Sequence, residues 1–117
     1  MLERLNNYNW REAFEAAGAP EVVQFAKSVF TAPFNREDVA EIIAISDGKN
    51  DGPNWIGVFR LKDGRFGTVD AGCDYTGWDC QQWGSAEVAG SLEEIIRFGL
   101  TNEQRERLGL SLPPSMP

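Results

Sequence analysis

Asn54–Gly84, NWIGVFRLKDGRFGTVDAGCDYTGWDCQQWG, is the stretch on which the reading of the fold turns. Its first part holds two extended runs, WIGVFRLK (55–62) and RFGTVDAG (65–72), joined by Asp63-Gly64. Asp-Gly suits a two-residue type I′ turn, so the pair predicts an antiparallel hairpin. That turn sets an expected register, with Lys62 opposite Arg65, Leu61 opposite Phe66, Phe59 opposite Thr68 and Val58 opposite Val69. One face then carries Trp55, Phe59, Leu61 and Phe66, and the other Ile56, Val58 and Val69. Both faces are apolar in mid-strand, which predicts helices on one side and at least partial cover on the other. Gly57 and Gly67 mark candidate bulges or close approaches.

Toward the N-terminus, Asn9 with Glu12 reads as a capping box opening a helix through WREAFEAA. Trp10, Ala13, Phe14 and Ala17 share one face, and Gly18 and Pro20 end it. A second helix is expected from Pro20 or Glu21, burying Val22, Phe25, Ala26 and Val29 and ending at Pro33. Val39–Ser46 reads as a strand from about Glu41, preceded by one helical turn that Asn35 and Asp38 would cap, because its isoleucines favour a pleated surface. Asp47–Asn54, DGKNDGPN, is a loop by composition. An EF-hand is excluded there by Lys49 at position three and Val58 at position twelve; a looser metal site from Asp47, Asn50 and Asp51 stays open.

Toward the C-terminus, Gly84–Gly90 reads as a connector of small residues. Ser91 with Glu94 opens a helix, SLEEIIRF, that turns Leu92, Ile95 and Ile96 inward and stops at Gly99. Thr101 with Gln104 opens a last short helix ended by Gly109. The expected fold is α+β: an N-terminal helical pair, a three-stranded antiparallel β-meander and two C-terminal helices on one sheet face. Residues 1–110 form one domain in this reading, and 111–117, rich in proline, a loose tail.

The net charge of −7 and pI near 4.5 argue against a nucleic-acid binder, since the 11 basic residues are scattered. The same charge leaves room for an acidic mimic of nucleic acid or for a protein that presents carboxylates to a basic partner. There is no histidine, which removes the commonest proton shuttle near neutral pH and the commonest zinc ligand. No apolar run approaches the roughly 20 residues that span a bilayer. The N-terminal MLERLNNYNWRE has no signal-peptide core, so a cytoplasmic location with no membrane partner is expected.

Chemistry-bearing residues crowd into Ala71–Gly84. Cys73 and Cys80 are half of a zinc set at best. They read as buried small apolar residues, with a disulfide or a metal as alternatives. Asp70, Asp74 and Asp79 read as loop braces, or as the acid and base of a small hydrolase-like or ligand-binding pocket built with the two cysteines. Large amphipathic aromatics in a glycine-containing loop suit recognition. The candidate binding set is therefore Trp55, Asp74, Tyr75, Thr76, Trp78, Asp79, Gln81 and Trp83, with no cofactor, and the competing role of the aromatics is to cover a small sheet.

The run AGCDYTGWDCQ, with the NDGPNW loop and LKDGRF hairpin before it, resembles a family of small bacterial and phage proteins with no established activity. The resemblance spans roughly Asp47–Gly109 and transfers no catalytic residues. It implies a setting, in which a small accessory protein of a mobile element binds and inhibits a host protein. Together with the missing histidine and the incomplete metal set, it leads to the expectation of a non-enzymatic module whose partner is another protein.

Overall fold

Short-range hydrogen bonds open most of the helices. The computed structural model describes residues 2–18, 21–23, 28–30, 34–74 and 76–110. After a 3-10 turn at Leu2–Asn6, helix α1 spans Tyr8–Gly18. Its cap is Asn7, whose Oδ1 accepts from Trp10 N at 2.8 Å, two residues before the expected Asn9. Asn9 Oδ1 instead accepts from Trp78 Nε1 at 3.1 Å, a tertiary bond that the local pattern does not reveal. The expected helix face is the buried one: Trp10, Ala13 and Phe14 are buried and Ala17 packs beside them.

The second N-terminal helix does not form in the described residues. Strand β1 (Glu21–Val23) pairs antiparallel with β2 (Ser28–Phe30), setting Val22 opposite Val29. Adjacent β-branched and aromatic residues suit a ladder, and over so short a run the helical spacing is no discriminator. Phe25, Ala26 and Pro33 lie outside the described residues, as do residues 111–117.

A 3-10 turn at Arg36–Asp38 leads into β3 (Val39–Ser46), as expected, with the strand starting two residues earlier. Asp38 Oδ2 accepts from Asn35 N at 2.8 Å and closes the turn. Strands β4 (Trp55–Leu61), β5 (Phe66–Asp74) and β6 (Gly77–Ala89) complete a four-stranded antiparallel sheet in the order β3-β4-β5-β6. The three-stranded expectation is thus one strand short. Residues 77–89, expected as loop and connector, form a strand because β5 supplies them with a ladder from Gly84 opposite Ala71 to Ala89 opposite Phe66. Between Cys73, opposite Gln82, and Asp74, opposite Gly77, β6 carries extra residues, among them Trp78.

The β4–β5 hairpin has a three-residue loop, Lys62-Asp63-Gly64. Leu61 N donates to Arg65 O at 2.8 Å and Gly64 N to Leu61 O at 3.0 Å, with Gly64 at φ +92°. This is a type I turn closed by a glycine bulge, the commonest three-residue hairpin. Phe59 therefore pairs with Gly67, and Val58 with Thr68. The slip of one residue moves Val69 to the Phe59 side of the sheet and Phe66 to the Val58 side, the reverse of the expectation.

Each face has its own core. On one, α1 covers Trp55, Phe59, Leu61, Val69, Ala71, Cys73 and Trp78. On the other, Ile56 and Val58 meet Ile95 and Leu100, with Phe66, Leu92 and Leu108 packed around them. That second layer comes from α2 (Leu92–Phe98) and α3 (Asn102–Leu108), which start at the expected caps. Ser91 Oγ accepts from Glu94 N at 3.2 Å and Thr101 Oγ1 from Gln104 N at 3.1 Å. No described helix is long and apolar enough to cross a membrane.

Candidate functional site

The aromatic set expected at the surface divides on folding. Trp55 and Trp78 are only 3% and 5% exposed, their ring centroids 4.9 Å apart under α1. Both are core residues, which corrects their assignment as binding anchors: burying two indoles fills the space between α1 and the sheet. Trp83 is 43% exposed. Tyr75 and the side chains of Asp79, Cys80 and Gln81 lie outside the described residues.

The remaining groups of that run are braces. Asp74 Oδ1 accepts from Thr76 N at 3.0 Å and from Thr76 Oγ1 at 2.5 Å, an Asx turn at the β5–β6 corner. Cys73 is a free, buried thiol that donates to Asn50 Oδ1 at 3.1 Å. Burial first, and then the nearby Asp74 charge, pushes its pKa up, the opposite of what a nucleophile requires. The Asp47–Asn54 loop is equally committed. Asp51 N donates to Cys73 O at 2.9 Å, and Asp47 Oδ1 accepts from Trp10 Nε1 at 2.7 Å and Arg4 Nη2 at 3.2 Å. Among the described residues no cluster of three or more His, Cys, Asp or Glu could hold a metal.

A different feature gathers on the opposite face, where α2 and α3 leave part of β5 and β6 uncovered. Strand alternation puts Ile56, Asp70 and Ser85 in one row across the sheet, and Val58, Thr68 and Glu87 in the next. Over these rows lies a cleft of about 280 Å³, walled by the α2–α3 connection from Phe98 to Thr101 and by Gln104. A second cleft of about 560 Å³, toward Pro53 and Arg107, adjoins it across Asp70, Thr101 and Gln104, which line both, and the two together are called the groove.

Asp70 is held at the centre. Its Oδ1 accepts from Asn54 Nδ2 and its Oδ2 from Gln104 Nε2, both at 2.6 Å. Gln104 Oε1 in turn accepts from Thr101 N at 2.9 Å, so the cap that starts α3 also aims the amide at Asp70. The α2–α3 connection is pinned by Arg105, whose Nη1 donates to Ile96 O at 2.7 Å and Leu100 O at 2.8 Å. That pinned turn projects Phe98, 81% exposed, over one rim. Trp83 stands opposite Gly72 on the groove side of β6. A Cβ on Gly72 would meet Asn54 Oδ1 and lie 2.8 Å from Trp83 Cζ2, so only glycine lets the indole and the amide close over the strand.

The groove is acidic. The smaller cleft has Asp70 and Glu87 in its lining and no Lys or Arg. Arg107, in the larger one, is spent on Ser46 Oγ at 2.9 Å and Asp47 O at 3.3 Å. The site offers carboxylates, hydroxyls, amides and exposed aromatic surface. Such a set suits binding a cationic or amphipathic group.

Of the residues singled out in the sequence, Asp70 lines the groove and Trp83 stands next to it on the same sheet face, opposite Gly72. The residues that surround Asp70 there, Asn54, Ser85, Glu87, Phe98 and Gln104, were missed as its companions. Two signals existed: Phe98 falls off the apolar stripe of its helix, and Asp70 interrupts an apolar strand. What united them was invisible, because they come from positions 54–104. The chain matches no family model, no curated protein and no solved structure.

Proposed function

We propose that the protein is a non-enzymatic interaction module that recognises another protein through the groove floored by Asp70 and rimmed by Trp83 and Phe98. The observation that carries this reading is an acidic cleft lined by exposed Phe98, with exposed Trp83 at the next position on the same face of β6 from Ser85 of its lining. Phe and Trp left in water beside a concave surface are the residues that supply most interface energy once covered. In keeping with the resemblance to bacterial and phage accessory proteins, the partner in this proposal is a host protein that the module inhibits.

A hydrolase-like pocket of Asp74, Asp79 and the cysteines has less support, because Asp74 braces its own turn and Cys73 has a raised pKa. An acidic mimic of nucleic acid also has less. Glu41, Asp47, Asp63 and Glu93 are each paired with an arginine, which breaks up the negative surface.

Affinity capture with the immobilised protein tests the reading. A partner retained by the wild type and by the exposed-site control Tyr8→Ala should be lost from the double variant Trp83→Ala/Phe98→Ala, whose fold is checked by circular dichroism. Undiminished capture by the folded double variant would reject the groove as the binding surface.

A further inference from the structure

Resting on the reading of the groove as a protein-binding surface, we infer that the partner enters as an extended basic segment that adds to β6 as a fifth strand. β6 is the last strand in the order β3-β4-β5-β6, and among the described residues no strand pairs with its outer edge. Gln82, Trp83, Gly84 and Ser85 are exposed in succession, and the groove face of this part of the strand meets solvent while α1 backs the other face at Gly84, where a Cβ would lie 2.9 Å from Ala17 N. Edge strands are ordinarily blunted by proline, lysine or a covering element. QWGSAEVA, 82–89, has neither residue and a single charge, Glu87.

The groove gives that edge a pattern to read. Trp83, Ser85 and Glu87 alternate along β6 on the groove side, in register with Gly72, Asp70 and Thr68. A strand laid about 4.8 Å outside β6 sets every second side chain directly opposite one of these three. Opposite Glu87 the fitting residue is Lys or Arg, since cross-strand opposite charges attract and the adjoining cleft lining has two carboxylates and no cation. The aliphatic stem of that residue lies along exposed Phe98, which lines the same cleft. Opposite Ser85 a small residue fits. Opposite Trp83, four positions and roughly 13 Å from the first, an arginine stacks on the exposed indole.

A second copy of the chain fits this edge less well. Antiparallel pairing of β6 with itself about Ser85 would bring two groove faces, each with Asp70 and Glu87, into one continuous sheet between chains of charge −7. Neither Glu87 would gain a cation, since its cross-strand neighbour would be the copy's Trp83.

The probe is the heptapeptide acetyl-Thr-Arg-Val-Ser-Val-Lys-Thr-amide, which places a basic residue at both outer positions whichever way it runs. Titrated into the intact ¹⁵N-labelled protein, it should shift amides of 82–88 and of Phe98. The form with Glu for both basic residues should bind at least about tenfold more weakly, the equivalent of one lost charge pair and one new repulsion. Glu87→Lys should reverse that preference. Two N-methylated forms, each blocking one set of alternate amides, separate strand addition from side-chain contact: one of them should lose at least about tenfold in affinity. The inference is overturned if the charge-reversed peptide binds equally, if both N-methylated forms bind like the parent, or if light scattering shows a stable dimer joined through β6. No binding of the parent peptide, with partner capture still sensitive to Trp83 and Phe98, overturns strand addition alone and leaves the recognition reading in place.

Discussion

Truncating Trp78 to alanine should cost about 3–5 kcal/mol of unfolding free energy, the range for a buried aromatic. Its indole is nearly inaccessible, stacks at a tilt on Trp55 and donates to Asn9 on α1. Trp78→Phe should cost less, because it keeps an aromatic ring in the core, but still about 1–3 kcal/mol, because it leaves the Asn9 acceptor without its donor. Urea titrations of the two variants measure both values. A Trp78→Ala protein as stable as the wild type would put the indole outside the core. At this scale the sequence was partly legible. Asp74 as a turn brace and Cys73 as a buried apolar thiol follow from residue chemistry, and both hold. Which tryptophans face water was not legible, since Trp55 on β4 and Trp78 and Trp83 on β6 carry the same side chain in one sheet. Trp83 stays out because its partner position, Gly72, lies on the face that α1 does not cover.

The hairpin loop carries the prediction at the scale of an element. Gly64→Ala should lower stability by about 1–2 kcal/mol, because an L-residue at positive φ brings Cβ against the carbonyl oxygen. Calorimetry should read this as a fall in Tm of several degrees, about 4–8 °C per kcal/mol in domains of this size range. An unchanged Tm would mean that the loop rearranges to a turn with Gly64 at negative φ. Beside it, Asp63 accepts from Arg65 N at 3.0 Å and Arg65 Nε at 2.7 Å. The backbone bond above all, and then the guanidinium, hold its carboxyl below the usual range. Its bracing is therefore complete above the ordinary Asp pKa and is lost as pH falls through the depressed value. Asp-Gly announced a hairpin here but not its length, since the dipeptide serves a two-residue type I′ turn and the end of a three-residue loop alike. That one-residue difference exchanged the faces of Phe66 and Val69.

At the scale of the molecule, β4 and β5 serve two cores with one backbone. Val58 and Phe59 are neighbours in sequence and lie in opposite clusters. Loss of either layer exposes the shared strands, so the described domain should unfold in a single step. Three of the four tryptophans, Trp10, Trp55 and Trp78, are buried on the α1 side and dominate the fluorescence change, with Trp83 exposed on the other face, whereas far-UV circular dichroism also follows α2 and α3. Urea curves from fluorescence and from circular dichroism should coincide within error, and separated midpoints would show that the two layers melt independently. The sequence by itself determined the features whose partners lie within one turn of the chain: the α+β class, the caps at Ser91 and Thr101, the apolar face of α1 and the central hairpin. Local hydrogen bonds and periodicity encode these directly. Only the tertiary structure decided the rest. Residues 77–89 became a strand because β5 offered a ladder, and Asp70 met Asn54 and Gln104 from 16 and 34 residues away because the sheet register and the α3 cap aim all three at one point. A side chain's neighbours across a sheet depend on register and loop length, and a shift of one residue reverses every face.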